Sequence, residues 1–310
     1  MNIVFFGSPD AALPTLRRLV APPHRVTLVV TQPDRAAGRG RKATACPVKA
    51  FALEHGLPVY QPERIRKDPA ALDRLREARP DVHVVVAFGQ IMPAPVIYLP
   101  PFHSLNVHFS LLPKYRGASP VQWAILNGES MTGVSIFELD EKMDEGPLLA
   151  RREVAVAPEE KAFELEARLA DVGAALLMET LGGLGRIRPE PQDGGAASYA
   201  PKIKKEDGRI DWKAPSDAVG RLVRAFAGWP TAFAYFRGKR IIVHDGRPLS
   251  GAVSPGIPGE IVAVSDEGIG VRCGDGSIFL VRRAQAENGR EMAAGALSRG
   301  QRMAMGSVFE

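Results

Sequence analysis

The stretch Ser104-Leu-Asn-Val-His-Phe-Ser-Leu-Leu-Pro-Lys-Tyr-Arg-Gly117 is the segment around which the rest of the chain is organised. Apolar side chains alternate there with Asn106 and His108, and an alternation of period two predicts a strand. The carboxamide and the imidazole then share one face, where one offers N–H donors and the other exchanges a proton near neutral pH. Pro113 and Gly117 predict a loop after the strand. Taken alone, the pair is equally compatible with two satisfied polar residues at a strand exit.

A second polar segment follows a short predicted strand that contains Val134, Ile136 and Leu139. It reads Asp-Glu-Lys-Met-Asp-Glu-Gly-Pro from Asp140 to Pro147, and the Gly-Pro pair at its end predicts a loop. Asp144 in this loop is a candidate to orient a nearby histidine or to balance its charge. A solvated acidic loop would have the same composition, so the spacing alone leaves both interpretations open.

Apolar runs alternate with helical patterns through the first half of the chain. Ile3 to Phe6, Val26 to Thr31 and Val82 to Phe88 predict buried strands. This β-α-β order indicates an α/β fold with a Rossmann-like, open and mostly parallel sheet. The first strand ends at Gly7 without a glycine-rich dinucleotide fingerprint, which counts against a nicotinamide enzyme.

In open parallel sheets, ligands bind beyond the carboxyl ends of the strands. The turn from Phe88 to Ile91 therefore predicts one wall of a pocket, although an ordinary strand-to-helix turn would have the same pattern. His83 lies inside the same predicted strand, and we interpret it as a packed histidine rather than a ligand.

The loop from Gln32 to Lys49 is strongly basic, with five cations against the single acid Asp34 and a local charge of +4. No Gly-Lys-Ser/Thr sequence closes it, so it is not a Walker loop. Either it contacts phosphates or it is a solvated basic loop. Its cations are Arg35, Arg39, Arg41, Lys42 and Lys49.

The 310 residues predict two domains, and the net charge of +5 lies entirely in the second part of the chain. Residues 1–200 carry 23 basic and 23 acidic side chains, whereas residues 201–310 carry 17 basic and 12 acidic ones. A basic domain beside a neutral one suggests a polyanionic partner, such as nucleic acid. The predicted units are a catalytic domain at 1–185, a linker at 186–207 and a domain at 208–310, whose short strands indicate a small antiparallel barrel.

No apolar run approaches the roughly 18 residues that suggest a membrane span, and the first strand lacks the flanks of a signal peptide. The two cysteines, Cys46 and Cys273, show neither metal-ligand nor disulfide-framework spacing. We therefore expect a cytoplasmic protein with no membrane partner and no metal. The sequence leaves the oligomeric state open, and a monomer is the working expectation.

Together these segments resemble the 10-formyltetrahydrofolate-dependent formyltransferases. The Ser-Leu-Leu-Pro-x-Tyr-Arg-Gly run is the specific part of the resemblance, which extends over essentially the whole chain. It implies transfer of a formyl group from 10-formyltetrahydrofolate to an amine, and a second domain with an OB-like β-barrel. The matching stretches are Asn106-x-His108, Ser110 to Gly117, Asp144, Thr31 to Lys42, Ile210 to Trp212 and Ala227 to Pro230.

The resemblance also implies roles for individual residues. Asn106 and His108 would donate to the oxyanion of a tetrahedral intermediate. His108 or Asp144 would relay the protons, and the sequence does not rank one over the other as the base. The implied folate-binding residues are Ser110, Leu111, Leu112, Pro113, Phe88, Gly89 and Ile91.

The basic loop and the tail resemble those of family members that act on methionyl-initiator tRNA. A nucleotide-sugar N-formyltransferase of the same fold is the alternative, because such enzymes can also carry a barrel-like tail. An RNA-binding protein with an inactive catalytic domain is the non-enzyme alternative. The length counts against the single-domain enzymes that formylate glycinamide ribonucleotide. The implied tRNA-binding residues are Arg35, Arg39, Arg41, Lys42, Lys202, Lys204 and Lys205.

Overall fold

The structure is a computed structural model, which describes residues 1–37, 42–249 and 255–310. Its strands in chain order are β1 (Asn2–Gly7), β2 (Arg25–Val30), β3 (Arg35–Ala37), β4 (Lys42–Thr44), β5 (Val59–Tyr60), β6 (Val82–Val86), β7 (Ser104–His108), β8 (Arg116–Gly117), β9 (Met131–Glu138), β10 (Leu148–Ala155), β11 (Tyr199–Ala200), β12 (Ala232–Phe236), β13 (Lys239–Leu249), β14 (Ile261–Val264), β15 (Ile269–Arg272), β16 (Ile278–Ala286) and β17 (Met292–Ala293). Its α-helices are α1 (Leu13–Leu19), α2 (Pro47–Glu54), α3 (Ala71–Glu77), α4 (Ala94–Ile97), α5 (Pro120–Leu126), α6 (Ala162–Gly183), α7 (Ser216–Ala225) and α8 (Ala294–Gln301).

The chain divides into two compact units. Residues 186–200, inside the predicted linker, belong to the first of them, and the predicted boundaries at residues 185 and 207 stay a prediction. Unit 1 comprises Met1–Pro120, Met131–Ala155 and Glu166–Ala200, and unit 2 comprises Val121–Ser130, Val156–Leu165 and Pro201–Glu310.

Unit 1 is organised on a seven-stranded sheet with the order β10-β9-β7-β6-β1-β2-β5. The strands from β7 to β5 run parallel, while β9 pairs antiparallel with β7 and β10 antiparallel with β9. All five residues of β6 are buried, as expected for a central parallel strand covered on both faces. This sheet confirms the predicted Rossmann-like α/β architecture.

Two elements end or begin at other residues in the structure than the sequence predicts. The strand predicted to reach Phe88 ends at Val86, because Ala87 adopts the left-handed conformation with φ of 48°. Apolar residues spaced by three and four predict a helix from Pro158 to Leu181, but the helix begins at Ala162. Before it, the backbone N–H of Ala157 donates to a carboxylate oxygen of Glu160 at 3.1 Å, which satisfies that donor outside the helix.

Unit 2 contains an antiparallel sheet in the order β12-β13-β16-β15-β14, with β17 paired to β16. Its core includes Trp212, whose ring lies 5.7 Å from that of Phe309 between centroids, together with Phe279. The sheet agrees with the predicted small antiparallel domain. Helix α8 was missed, because its sequence contains two glycines and few apolar residues. In the described part of the chain, no helix is long and apolar enough to span a bilayer.

Candidate active site

Strand β7 carries Asn106 and His108 to the carboxyl-terminal edge of the parallel sheet. It lies between β6 and β9, with Asn106 opposite Val85 and Phe137 and with His108 opposite Ser135. Since successive side chains of a strand alternate, Asn106 and His108 share one face, as predicted. The side chain of Asn106 is half-buried, and among the residues that the structure describes no hydrogen-bond partner is found for its carboxamide. Its donors are therefore available to a ligand.

The imidazole of His108 is 6% exposed and lies between two oxygen atoms. Its Nε2 lies 2.9 Å from the carbonyl oxygen of Tyr115, and a carbonyl can only accept, so Nε2 carries a proton. Its Nδ1 lies 3.8 Å from Oδ2 of Asp144. The structure thus brings His108 and Asp144 together, and Nδ1 is the ring nitrogen that is left to gain or lose a proton.

The backbone of Tyr115 is held in an uncommon conformation that directs its carbonyl to His108. Its φ is 61°, which is rare for a bulky residue and persists only where neighbouring contacts enforce it. The backbone N–H of Tyr115 donates to Oγ of Ser198 at 2.9 Å. The adjoining strands β8 and β11 pair in parallel, which fixes the next residues of the loop. Ser198 therefore supports the histidine through Tyr115.

Asp144 is fixed by a backbone amide on the other side of the site. Its Oδ2 accepts from the N–H of Gly117 at 2.8 Å, and its side chain is 14% exposed. Asp144 has φ of 55°, a region that Asp tolerates better than most residues. Gly117 has φ of 121°, and a Cβ there would lie 2.7 Å from the carbonyl oxygen of Ala200. Only glycine permits this approach, which explains the end of the Tyr-Arg-Gly motif.

The turn after β7 is secured by a buried serine on β9. The hydroxyl of Ser135 donates to the carbonyl of Ser110 at 2.7 Å and accepts from the N–H of Leu112 at 3.0 Å. The hydroxyl of Ser110 in turn donates to the carbonyl of Lys114 at 2.6 Å. Sequence reasoning missed Ser135 and Ser198, because both act over long sequence separations on backbone groups and leave no local motif.

The sequence of this chain matches two known protein-family models. Residues 1–181 match the family model described as "Formyl transferase", and residues 202–302 match "Formyl transferase, C-terminal domain". This chain belongs to the formyl transferase family. The match covers both the sheet of unit 1 and most of the C-terminal region, and it confirms the family indicated by the two motifs.

A methionyl-tRNA formyltransferase of Synechococcus sp. (strain JA-2-3B'a(2-13)) is 45% identical over 320 aligned residues, covering 100% of this chain and 98% of that protein. The solved methionyl-tRNA formyltransferase from Clostridium thermocellum is similar with a TM-score of 0.58 at 18% identity, over 81% of this chain and 95% of that one. WlaRD, a sugar 3N-formyl transferase solved in the presence of dTDP and 5-N-formyl-THF, is similar with a TM-score of 0.67 at 17% identity. The similarity covers 94% of this chain and 99% of that one. The two structures establish the shared fold.

The predicted folate-binding residues lie at the same edge of the sheet, but not all present a side chain there. Leu112 is fully buried in a small apolar cluster with Phe137, and Phe88 is 2% exposed and packs edge-on against Phe6. These two side chains belong to the core, so a ligand would meet their backbone groups. Ile91, in contrast, is 70% exposed.

The predicted tRNA-binding residues fall in two places. Arg35 is exposed on β3, which pairs with β4, whereas Arg39 and Arg41 lie outside the described residues. Lys42 begins β4, and its side chain is likewise not described. In unit 2, the side chains of Lys202, Lys204 and Lys205 are all exposed. Across residues 1–37, 42–249 and 255–310, no three His, Cys, Asp or Glu side chains are grouped so as to hold a metal ion.

Proposed function

We propose that this formyltransferase moves the formyl group of 10-formyltetrahydrofolate to the amino group of methionyl-initiator tRNA. The observation that carries the proposal is the pairing of His108 with Asp144, at 3.8 Å, at the end of the strand that also carries Asn106. A relative that is 45% identical over the whole chain, named a methionyl-tRNA formyltransferase, supports the choice of acceptor. A folate co-substrate is in keeping with the family.

The reaction places negative charge on the formyl oxygen. When the amine adds to the formyl carbon, a C–N bond forms and the carbonyl oxygen becomes an oxyanion, which N–H donors stabilise. The carboxamide of Asn106 is free to supply one donor. Because Nε2 of His108 is engaged with Tyr115, the donor that His108 supplies is Nδ1–H, present when both ring nitrogens are protonated. Asp144 beside Nδ1 would balance that positive charge.

Collapse of the intermediate breaks the bond between the formyl carbon and the folate nitrogen. One proton leaves the attacking amine and one reaches the departing nitrogen, so the site must both accept and return a proton. Nδ1 of His108 and the carboxylate of Asp144 are the adjacent groups with that capacity. Either can act as the base, while the other orients it and balances its charge.

A formylation assay tests the proposal directly. The purified protein receives 10-formyltetrahydrofolate with either methionyl-initiator tRNA or an amino-sugar nucleotide. We expect formyl transfer to the tRNA and none to the sugar. Transfer only to the sugar would establish the alternative acceptor, and RNA binding without transfer to either would indicate an inactive catalytic domain.

The folate is proposed to bind between the turn at residues 110–113 and residues 88–91. Backbone groups there would hydrogen-bond the pterin edge, and apolar side chains such as Ile91 would cover the ring. A non-reactive folate analogue should protect amides of both segments from hydrogen exchange. Protection confined to residues 209–310 would place the pocket elsewhere.

The tRNA is proposed to contact both basic segments, for different purposes. Lys204 and Lys205 would bind phosphates without reading sequence, so neutralising both should weaken all tRNAs and reduce the log–log salt slope by about one unit per lost contact. Arg41 and Lys42 would enter the acceptor stem and position the amine. Replacing them should reduce formylation of initiator tRNA much more than RNA affinity. Equal losses on initiator and elongator methionyl-tRNA would assign the loop to general phosphate binding.

A further inference from the structure

The carboxamide of Gln192 joins the loop that carries Asp144 to a buried arginine. Its Nε2 donates to the carbonyl oxygens of Asp144 and Gly146, both at 2.8 Å. Its Oε1 accepts from Nε and from a terminal nitrogen of Arg116, at 3.1 and 2.8 Å. A carboxamide has two donor hydrogens and two acceptor lone pairs, so every hydrogen-bonding position of Gln192 is used. All four residues belong to unit 1.

Because Arg116 is buried, its guanidinium group must find hydrogen-bond acceptors within the protein. Arg116 is 4% exposed, and besides the neutral Gln192 it has a charged partner in Glu145, whose carboxylate lies 3.5 Å from the guanidinium. A buried cation without sufficient acceptors is strongly unfavourable, so Arg116 depends on the oxygen of Gln192. Gln192 in turn fixes the carbonyls on both sides of Glu145. The residue that follows Arg116 is Gly117, whose N–H holds the carboxylate of Asp144.

We propose that Gln192 is a positioning residue of the formyl-transfer site. It holds the backbone of residues 144–146 against Arg116, and thereby keeps Oδ2 of Asp144 between Gly117 and Nδ1 of His108. Asp144 has a positive φ of 55°, so its backbone relies on such outside contacts to keep its side chain directed at His108. The inference rests on the proposed roles of His108 and Asp144. It assigns a function to a segment whose composition indicates only a linker.

Two substitutions distinguish the hydrogen bonds that Gln192 donates from those that it accepts. Gln192→Ala removes all four hydrogen bonds. Gln192→Glu keeps the size and the acceptor for Arg116, but it loses both donors and places oxygen against the carbonyls of Asp144 and Gly146. If positioning of Asp144 is the role, both variants should lower kcat by about 10²-fold, the effect of a misplacement near 1 Å. If Gln192 only stabilises Arg116, Gln192→Glu should retain wild-type kcat, and the proposal is wrong.

A double-mutant cycle with Asp144→Ala distinguishes positioning from a general loss of structure. If Gln192 acts through Asp144, Gln192→Ala should lower the residual kcat of Asp144→Ala by no more than about twofold, because the positioned group is already absent. A further loss of about 10²-fold in the double variant would show that Gln192 acts independently, and would overturn the proposal.

Hydrogen exchange tests the same idea without any substrate. Gln192→Ala and Gln192→Glu should both accelerate exchange of the Gly117 amide, whose acceptor is Asp144. Asn2→Ala is the matched control, since it removes another carboxamide-to-carbonyl bond of unit 1, from Asn2 to Arg79 at 3.2 Å, at the start of β1. Unchanged exchange at Gly117 in both Gln192 variants would refute positioning. Faster exchange in an enzyme that formylates no tRNA would support positioning while refuting the proposed acceptor.

Discussion

The two ends of the parallel sheet in unit 1 each hold a buried histidine beside a buried serine. At the amino end, Nδ1 of His83 on β6 lies 3.1 Å from Oγ of Ser104 on β7, and Ser104 donates onward to the carbonyl of Ile97 at 2.7 Å. At the carboxyl end, His108 pairs in register with Ser135 of β9. The residue types are the same, but within the part of the chain that the structure describes a carboxylate lies beside the second histidine and none beside the first.

That difference separates a packed histidine from the histidine that we propose to be reactive. The His83 side chain is completely buried, and desolvation lowers its pKa to about 3, so it stays neutral at physiological pH. A serine hydroxyl that already donates to a carbonyl cannot balance a positive charge. At the carboxyl end the chain leaves the sheet in loops, and those loops bring Asp144 beside His108. The location in the sheet, rather than the residue type, determines the chemistry that is available.

The largest expected effect is on turnover. His108→Ala and Asp144→Asn should each lower kcat by about 10²-fold or more, the usual cost of losing a group that stabilises the transition state. His83→Asn should leave kcat within about threefold of wild type, because His83 lies at the opposite end of the sheet. Steady-state formylation with variants shown to be folded by circular dichroism measures this. Equal losses at both histidines would remove the distinction between the two ends.

A smaller effect is expected from the two serines. Ser135→Ala leaves the buried N–H of Leu112 without its acceptor, and Ser104→Ala removes the acceptor of His83, so each should destabilise unit 1 by about 1–3 kcal/mol. Only Ser135→Ala should also raise KM for the folate, by about tenfold or about 1.4 kcal/mol, because it releases the proposed pterin-binding turn. Urea unfolding and folate titrations separate the two outcomes. A matching rise in KM for Ser104→Ala would contradict the assignment of the turn.

The smallest expected effect is a pH dependence of stability that comes from His83 at the amino end. The pKa of His83 falls from its ordinary value of 6.5 to about 3 when the protein folds, so its contribution to stability is fully present above pH 6.5 and is lost as the pH falls towards 3. Between pH 7.5 and 5.5, the free energy of unfolding should fall by about 1.4 kcal/mol more in the wild type than in His83→Asn. Urea unfolding of the wild type and of His83→Asn at both pH values measures this difference. The other titrating groups are the same in both proteins, so their contributions cancel. Parallel curves would show that His83 titrates normally when folded.

Elements that depend only on neighbouring residues could be predicted from the sequence. The alternation from Ser104 to Phe109 correctly predicted a strand with Asn106 and His108 on one face, because side-chain direction in a strand follows from backbone geometry alone. The apolar run at Val82 correctly predicted a strand buried on both faces. The Tyr-Arg-Gly motif indicated the family, and the need for glycine at its end follows from a positive φ that only the structure reveals.

The tertiary structure alone decided how the site is held. Gln192 and Ser198 lie in a stretch with neither helical nor strand periodicity, and their partners are backbone and guanidinium groups 46 to 83 residues away. The bond of Ser135 to Ser110 also spans 25 residues. Hydrophobic periodicity reports which side of an element is buried, whereas a single polar side chain that reaches a distant carbonyl has no period. Such contacts exist only once the chain has closed, because folding brings the donor and its acceptor to the same place.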